Sequence, residues 1–326
     1  MTGNVEIDKM RLNIRGPIKT RITTKRRLIG GAICAGIVLL AGMTNALAQY
    51  NFTTLSVPGA VDTSVYGISD GDMVGTWDTG SGSDSQGFIY NGSSYTTLNV
   101  PGVENTYVSG IDGNNIVGWY DNEGTIAGFL YDGNSFTILS VPYSQSTTVT
   151  AISGNNIIGN YVSDESYNPQ SYLYNNDNYT ILNVPGQVNG IEGNYIVGNY
   201  PVLNGGNDGF VYNGTSYTTL IVPGARYTFA DGISGNIIVG TYSMDGSTFQ
   251  SFIYDGNSYI TLSVPGAEDT YVYGIDGDNI VGSYYNGSVY EGFLATPVPE
   301  PSVLALATVG AGALLVRLRE RGKRRG

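Results

Sequence analysis

The chain contains no histidine and a single cysteine, Cys34. Without imidazole there is no His-dependent catalytic triad, no histidine metal ligand and no general base of the commonest kind. Cys34 lies in an N-terminal apolar run that reads as a discarded segment, so the rest of the chain carries no disulfide, reactive thiol or thiolate metal site. Cations are scarce as well. Residues 1–48 hold eight Lys and Arg against two acids, and residues 317–326 hold six against one. Everything between has one base, Arg226, against 24 acids. A body with one cation cannot neutralise a phosphate backbone, which argues against nucleic acid as a partner. No glycine cluster is followed by the lysine of a phosphate-binding loop. The acid excess favours solubility and repels anionic membranes and polyanionic glycans, leaving neutral or cationic partners. Neither a cofactor nor a metal is expected.

The two basic ends read as addresses. Lys25-Arg26-Arg27 precedes an apolar stretch from Leu28 to Met43, and Ala46-Leu47-Ala48 closes the pattern. Basic flank, short apolar helix and small residues form a secretory signal. Signal peptidase would use Ala46 and Ala48 and leave Gln49 as the new N-terminus; an uncleaved membrane anchor is the rival reading. At the other end, Val298-Pro299-Glu300-Pro301 is followed by the apolar run 302–316 and an Arg-rich terminus. That run falls short of the roughly 20 residues that span a bilayer comfortably. Its basic end would stay cytoplasmic.

Residues 298–325 resemble the PEP-CTERM sorting domain, with Pro299, Glu300 and Pro301 matching its name-giving motif. The resemblance implies an exosortase as partner, in a Gram-negative bacterium that makes extracellular polysaccharide. It also implies a transient inner-membrane intermediate held by the C-terminal helix, then delivery to the cell surface or extracellular matrix. A plain single-pass anchor is the alternative. The organisation is therefore a signal peptide over 1–48, a body over 49–296 and a sorting signal over 297–326.

The body repeats. A Val-Pro pair recurs with its proline at Pro58, Pro101, Pro142, Pro185, Pro223 and Pro265. A second anchor ends at Gly75, Gly118, Gly159, Gly198, Gly240 and Gly282, and a third, Gly or Ser before an aromatic, starts at Gly87, Gly128, Ser171, Gly209, Ser251 and Gly292. Periods near 40 residues mean stacked supersecondary units. In one unit, Gly87–Tyr90 reads as a strand, Asn91-Gly92 as a two-residue hairpin turn, and Ser94–Val100 as a second strand. After Pro101-Gly102, strands over Thr106–Ile111 and Asn115–Tyr120 follow, with Asp112-Gly113 turning between them.

Four short antiparallel strands per unit and no helix signal predict an all-β, six-bladed β-propeller of four-stranded blades. The first unit, from Tyr50, lacks its Gly-Phe-Ile-Tyr strand, and a surplus Gly292-Phe293-Leu294 follows the sixth. Pairing of N- and C-terminal strands would close the ring, with Gly292–Leu294 joining the sheet of Tyr50–Tyr66 and Met73–Trp77. The repeats are also similar to HAF-type extracellular β-repeats, a likeness that implies no activity.

Candidate chemistry is sparse. Glycoside hydrolysis needs only two carboxylates, and Glu104, Glu192 and Glu268 are available. Glu104 and Glu268 share one repeat position after Pro-Gly, where acids read better as solvated turn residues. Asp70-Gly71-Asp72, Asp112-Gly113-Asn114 and Asp276-Gly277-Asp278 are too short for an EF-hand loop, and equivalent units have Ser-Gly-Asn. They read as hairpin turns. Two residues after each anchor glycine sit Trp77, Tyr120, Tyr161, Tyr200, Tyr242 and Tyr284. These either pack the blades with hydroxyls at the rim or offer stacking surfaces to sugar rings. The reading of the whole is a non-enzymatic exported protein that binds exopolysaccharide or a protein partner, with a carboxylate glycosidase on the same scaffold as the alternative.

Overall fold

The computed structural model describes residues 50–80, 85–203 and 205–298. The signal peptide and the sorting signal from Pro299 onward, including Ala46, Ala48, Gln49, Pro299, Glu300 and Pro301, lie outside the described residues. Among the described residues every regular element is a strand, and no helix is long and apolar enough to cross a membrane.

After β1 (Tyr50–Leu55), the chain forms antiparallel meanders of four strands. The first comprises β2 (Asp62–Ser69), β3 (Asp72–Asp78), β4 (Gln86–Tyr90) and β5 (Tyr95–Leu98), and it is a sheet of its own. Next come β6 (Asn105–Asp112), β7 (Asn115–Asn122), β8 (Thr125–Tyr131) and β9 (Phe136–Leu139), then β10 (Ser144–Ser153), β11 (Asn156–Ser163), β12 (Ser166–Asn175) and β13 (Asn178–Ile181). A single parallel bridge, Ser146 to Ile126, joins these two meanders into one eight-stranded sheet.

The pattern then repeats. β14 (Gln187–Glu192), β15 (Tyr195–Val202), β16 (Gly206–Tyr212) and β17 (Tyr217–Leu220) join β18 (Tyr227–Ser234), β19 (Ile237–Ser243), β20 (Gln250–Tyr254) and β21 (Tyr259–Leu262) through one bridge, Asn207 to Tyr227. The last sheet holds β22 (Asp269–Asp276), β23 (Asn279–Tyr285) and β24 (Tyr290–Pro297), and its fourth strand is β1.

The first strands of the meanders touch in sequence, β2 to β6, β10, β14, β18 and β22, and β22 returns to β2. Sheets arranged radially around a closed ring of innermost strands define a β-propeller. Closure runs through β1 and β24, where Thr53 pairs with Leu294, Thr54 with Phe293 and Leu55 with Gly292. The expected sheet needs one correction. Gly292–Leu294 meets β1, but β2 and β3, which contain Tyr66 and Met73–Trp77, belong to the next sheet. The N-terminal strand completes the last sheet, rather than the C-terminal strand completing the first. The loop of Val57–Val61 between β1 and β2 therefore crosses from one four-stranded unit to the next, as the equivalent Val-Pro loops do between meanders. A second correction concerns Asn91-Gly92. The hairpin loop has four residues, Asn91–Ser94, with Tyr90 paired to Tyr95. The Asn91 carboxamide accepts from the amides of Ser93 and Ser94 while Gly92 takes φ +83°, an Asx turn that the Asn91 amide closes by donating to the Ser94 carbonyl at 3.3 Å.

Each meander packs by one device. A third-strand aromatic (Phe88, Phe129, Tyr172, Phe210, Phe252 or Phe293) is at most 1 % exposed and lies over the anchor glycine of its second strand. A Cβ added to Gly118 would sit 2.1 Å from the Tyr107 carbonyl oxygen and 2.7 Å from the Phe129 ring. Only glycine permits both contacts.

The turns between first and second strands link neighbouring meanders. Gly113, Gly193 and Gly277 amides donate to the hydroxyls of Ser69, Ser153 and Ser234, each at 3.1 Å. Gly154 and Gly235 amides donate to Asp112 and Glu192, and the Asp70 amide donates to Asp276 at 2.9 Å. Six such bonds, with serine and acid acceptors alternating, return to their starting point. The Asp-Gly turns are thus hairpin turns that also rivet one meander to the next.

Candidate functional site

The aromatic series predicted as a site is distributed rather than gathered. Trp77, Tyr120, Tyr161, Tyr200, Tyr242 and Tyr284 sit on six different second strands, each in or against an apolar cluster, and four of these clusters also take residues from a neighbouring sheet. Tyr161 and Tyr242 are buried and the others half-buried. Tyr161 donates to Gln170 Oε1 at 2.6 Å and Tyr242 to Gln250 Oε1 at 2.7 Å. Tyr200 and Tyr284 bond the hydroxyls of Thr219 and Thr54, both at 3.0 Å. Trp77 Nε1 is buried without a hydrogen-bond partner. The acids singled out in the sequence are also apart: Glu104 and Glu268 are exposed on loops, and Glu192 serves the turn ring.

What the structure does gather is a set of residues that the strand reading passed over. Every first strand carries a β-bulge at its middle: the register shifts between Val65 and Gly67, Val108 and Gly110, Val149 and Ala151, Val188 and Gly190, Ala230 and Gly232, and Val272 and Gly274. The extra residues are Tyr66, Ser109, Thr150, Asn189, Asp231 and Tyr273. All six line one central cavity of about 300 Å³, with Trp119 beside them. A bulge re-aims a side chain that regular pleating would send elsewhere, and here it does so six times towards one point. Aligning the six Val/Ala-x-Gly/Ala-Ile segments exposes the signal, because x alone varies in size and chemistry.

Hydrogen bonds organise this ring. Asn189 Nδ2 donates to Asp231 Oδ1 at 3.1 Å, to the Ala230 carbonyl at 3.0 Å and to Asn199 Oδ1 at 3.0 Å. Ser109 donates to the Val149 carbonyl at 2.7 Å. The rings of Tyr66 and Tyr273 are 4.7 Å apart, and Tyr107 stacks on Trp119 at 4.0 Å. Burial pushes the Asp231 carboxyl up to about 7, against the lowering effect of Thr241 and Asn189. The Thr241 amide bonds the carboxyl, and its hydroxyl lies near enough to favour the charged form but meets no partner in hydrogen-bond geometry. Burial, then the Tyr66 phenol, pushes Tyr273 well above the ordinary phenol range. Tyr66 is raised by burial too. Among the described residues no group of three or more acids or other ligands converges to hold a metal.

The fold and this cavity define the class: a β-propeller with a polar, asymmetric centre. No family model and no curated protein matches the chain. Among solved structures it is similar to the SapL1 lectin in complex with alpha methyl fucoside, at 13 % identity and a TM-score of 0.49 over 75 % of this chain and 98 % of that one. It is similar to the six-bladed lectin of Aleuria aurantia, at 11 % identity and a TM-score of 0.43 over 77 % of this chain and 100 % of that one. It is also similar to the sialidase of Trypanosoma rangeli, at 10 % identity and a TM-score of 0.42 over 84 % of this chain and 58 % of that one. These likenesses are of fold and transfer no ligand or activity.

Proposed function

We propose that this chain is an exported, non-catalytic propeller of six four-stranded blades, delivered by its signal peptide and PEP-CTERM-like tail to the cell surface or extracellular matrix. There it binds through its central cavity, with exopolysaccharide as the polymer it serves. The observation that carries the non-catalytic reading is the solitary carboxylate. Asp231 is the one acid among the described residues that line the cavity. A glycosidase of the two-carboxylate kind needs a partner acid roughly 5–9.5 Å away. A tyrosine nucleophile would need a phenol whose ionisation is eased, and burial drives Tyr66 and Tyr273 the other way. The six-blade reading is supported by the ring of first strands and the closed circuit of turn hydrogen bonds.

Two measurements test the proposal. Replacing Pro299, Glu300 and Pro301 with alanine should leave an unprocessed, membrane-held form in the host; normal processing would sink the sorting assignment. Incubating the mature protein with host exopolysaccharide should give co-sedimentation without new reducing ends. Reducing ends that disappear in Asp231→Asn would restore the hydrolase reading.

A further inference from the structure

The bulged position is where the repeats stop repeating. The residue before it is fixed by packing: Val65, Val108, Val149, Val188, Ala230 and Val272 are at most 1 % exposed. The residue after it is glycine in five units and Ala151 in the other, kept small by the close approach of neighbouring first strands. A Cβ on Gly190 would lie 2.6 Å from the Asp231 carbonyl oxygen, and one on Gly274 would lie 2.7 Å from that of Tyr66. The scaffold makes no such demand on the bulged side chain, and there the chain places Tyr, Ser, Thr, Asn, Asp and Tyr. Their order around the ring is uneven. Asn189, Asp231, Tyr273 and Tyr66 follow one another on adjacent strands, while the short hydroxyls of Ser109 and Thr150 occupy the remaining arc, where Trp119 also lines the cavity.

We propose that this cavity binds a small organic cation, an ammonium group seated against the Asp231 carboxylate beside the Tyr66–Tyr273 ring pair. This rests on the reading of the cavity as a binding site and names what it takes. Asp231 receives hydrogen bonds from Asn189 and from the Thr241 amide, which leaves acceptor capacity on a group with about four lone-pair sites. No base lines the cavity. The one base of the body is engaged elsewhere: Arg226 donates to the Gly205 carbonyl and lies 5.3 Å from the Tyr227 ring centre. A half-buried carboxylate recessed in a cavity, with no counter-charge lining it, favours a ligand that brings one. Aromatic faces add attraction for an ammonium group that a neutral molecule does not feel. A neutral polyol could fill the same acceptor sites but would leave the charge unmatched, and an anion would be repelled.

The titratable groups facing Asp231 are the phenols of Tyr66 on β2 and Tyr273 on β22, and both are neutral near pH 7. Ser109, Thr150 and Asn189 on β6, β10 and β14, Trp119 on β7 and Thr241 on β19 do not titrate. Asp231 alone therefore sets the pH dependence, and cation binding should strengthen as pH rises from 5 to 8.

The test uses the mature full-length protein with three probes: choline, its uncharged isostere 3,3-dimethylbutan-1-ol, and glucose. Calorimetry should find choline bound roughly tenfold or more tightly than the isostere at pH 8. That preference should fall at pH 5 and vanish in Asp231→Asn. Should the variant not fold, the pH profile of the unaltered protein carries the test. Choline binding that ignores both pH and the Asp231→Asn change overturns the inference. Glucose binding without choline binding also overturns it, while leaving the cavity as a binding site. Failure of all three probes removes the cation and counts against the cavity as well.

Discussion

At the residue scale, the most demanding positions are the anchor glycines, because backbone stands against them. At Gly118 the obstacle is the Tyr107 carbonyl, which belongs to the same sheet and cannot retreat without breaking its ladder. Overpacking usually costs about 1–3 kcal/mol, and Gly118→Ala should reach or exceed the top of that range in a urea titration. A change below about 1 kcal/mol would mean the sheet yields easily. The glycines and their aromatics were legible as recurring letters, but the reason for their pairing is a contact across strands that letters do not display. The bulged residues escaped altogether, since an extra residue in a strand looks like ordinary strand until the partner register is known. Asp231 carries the largest consequence. Its carboxyl is raised in the folded state to about 7, so between the unfolded value near 4 and pH 7 the native chain holds the extra proton. Stability linked to this group is therefore present at low pH and lost as pH rises through about 7. Asp231→Asn should be more stable than the parent at pH 8, by an amount on the order of a few kcal/mol, and the gap should close by about pH 4. A gap that is the same at both pH values would show that Asp231 is not desolvated.

At the element scale, the repeat legible in the sequence and the sheet built by the chain are out of phase. The unit read from Gly87 contains the two outer strands of one sheet, β4 and β5, and the two inner strands of the next, β6 and β7. Strand existence and approximate bounds followed from β-branched alternation and the Val-Pro and Gly turns. Sheet membership did not, because the composition of a Val-Pro loop does not say that it passes from one four-stranded unit to the next, as all six do, rather than turning back within its own. The turn ring shows the same limit. Asp112, Glu192 and Asp276 alternate with Ser69, Ser153 and Ser234, and both residue types accept a hydrogen bond from the next turn. Interchangeability follows: Asp112→Ser should retain nearly full thermal stability, whereas Asp112→Ala should lose about 1 kcal/mol through the unmet Gly154 amide. Equal loss in both variants would point to charge rather than hydrogen bonding. Because the acids serve as acceptors, a chelator should leave the melting temperature unchanged; a drop would expose a bound cation.

At the scale of the whole molecule, closure depends on a strand contributed from the far end of the chain. The spare Gly-Phe-Leu segment and the incomplete first unit made the closure legible, though not which sheet would be completed. β1 contributes more than hydrogen bonds. Leu55 is 4 % exposed in the core, and Phe52 meets Phe293 edge-on with ring centres 5.7 Å apart. Thr54 reaches Tyr284, and the Tyr290 amide donates to Asp62 across the seam at 2.6 Å. Removing Tyr50–Leu55 would strip β24 of its outer partner, leave its amides and carbonyls unpaired, and open Val281 and Phe293 to solvent. Loss of one buried leucine and one half-buried phenylalanine contact amounts to about 5 kcal/mol. For a chain of this size that corresponds to a fall in melting temperature of about 10 °C or more. Ending the chain after Val298 touches none of these contacts and should shift melting by no more than a degree or two. The two truncations together separate seam closure from a general effect of shortening. A third arm tests the mechanism directly. A synthetic peptide spanning residues 50–58 should raise the melting temperature of the β1-less protein by adding a strand to the exposed edge of β24. A peptide of the same composition in scrambled order should not. If β1 can be removed without cost, or if the scrambled peptide rescues equally well, the ring is held by its turns and first strands, and the seam strand is dispensable.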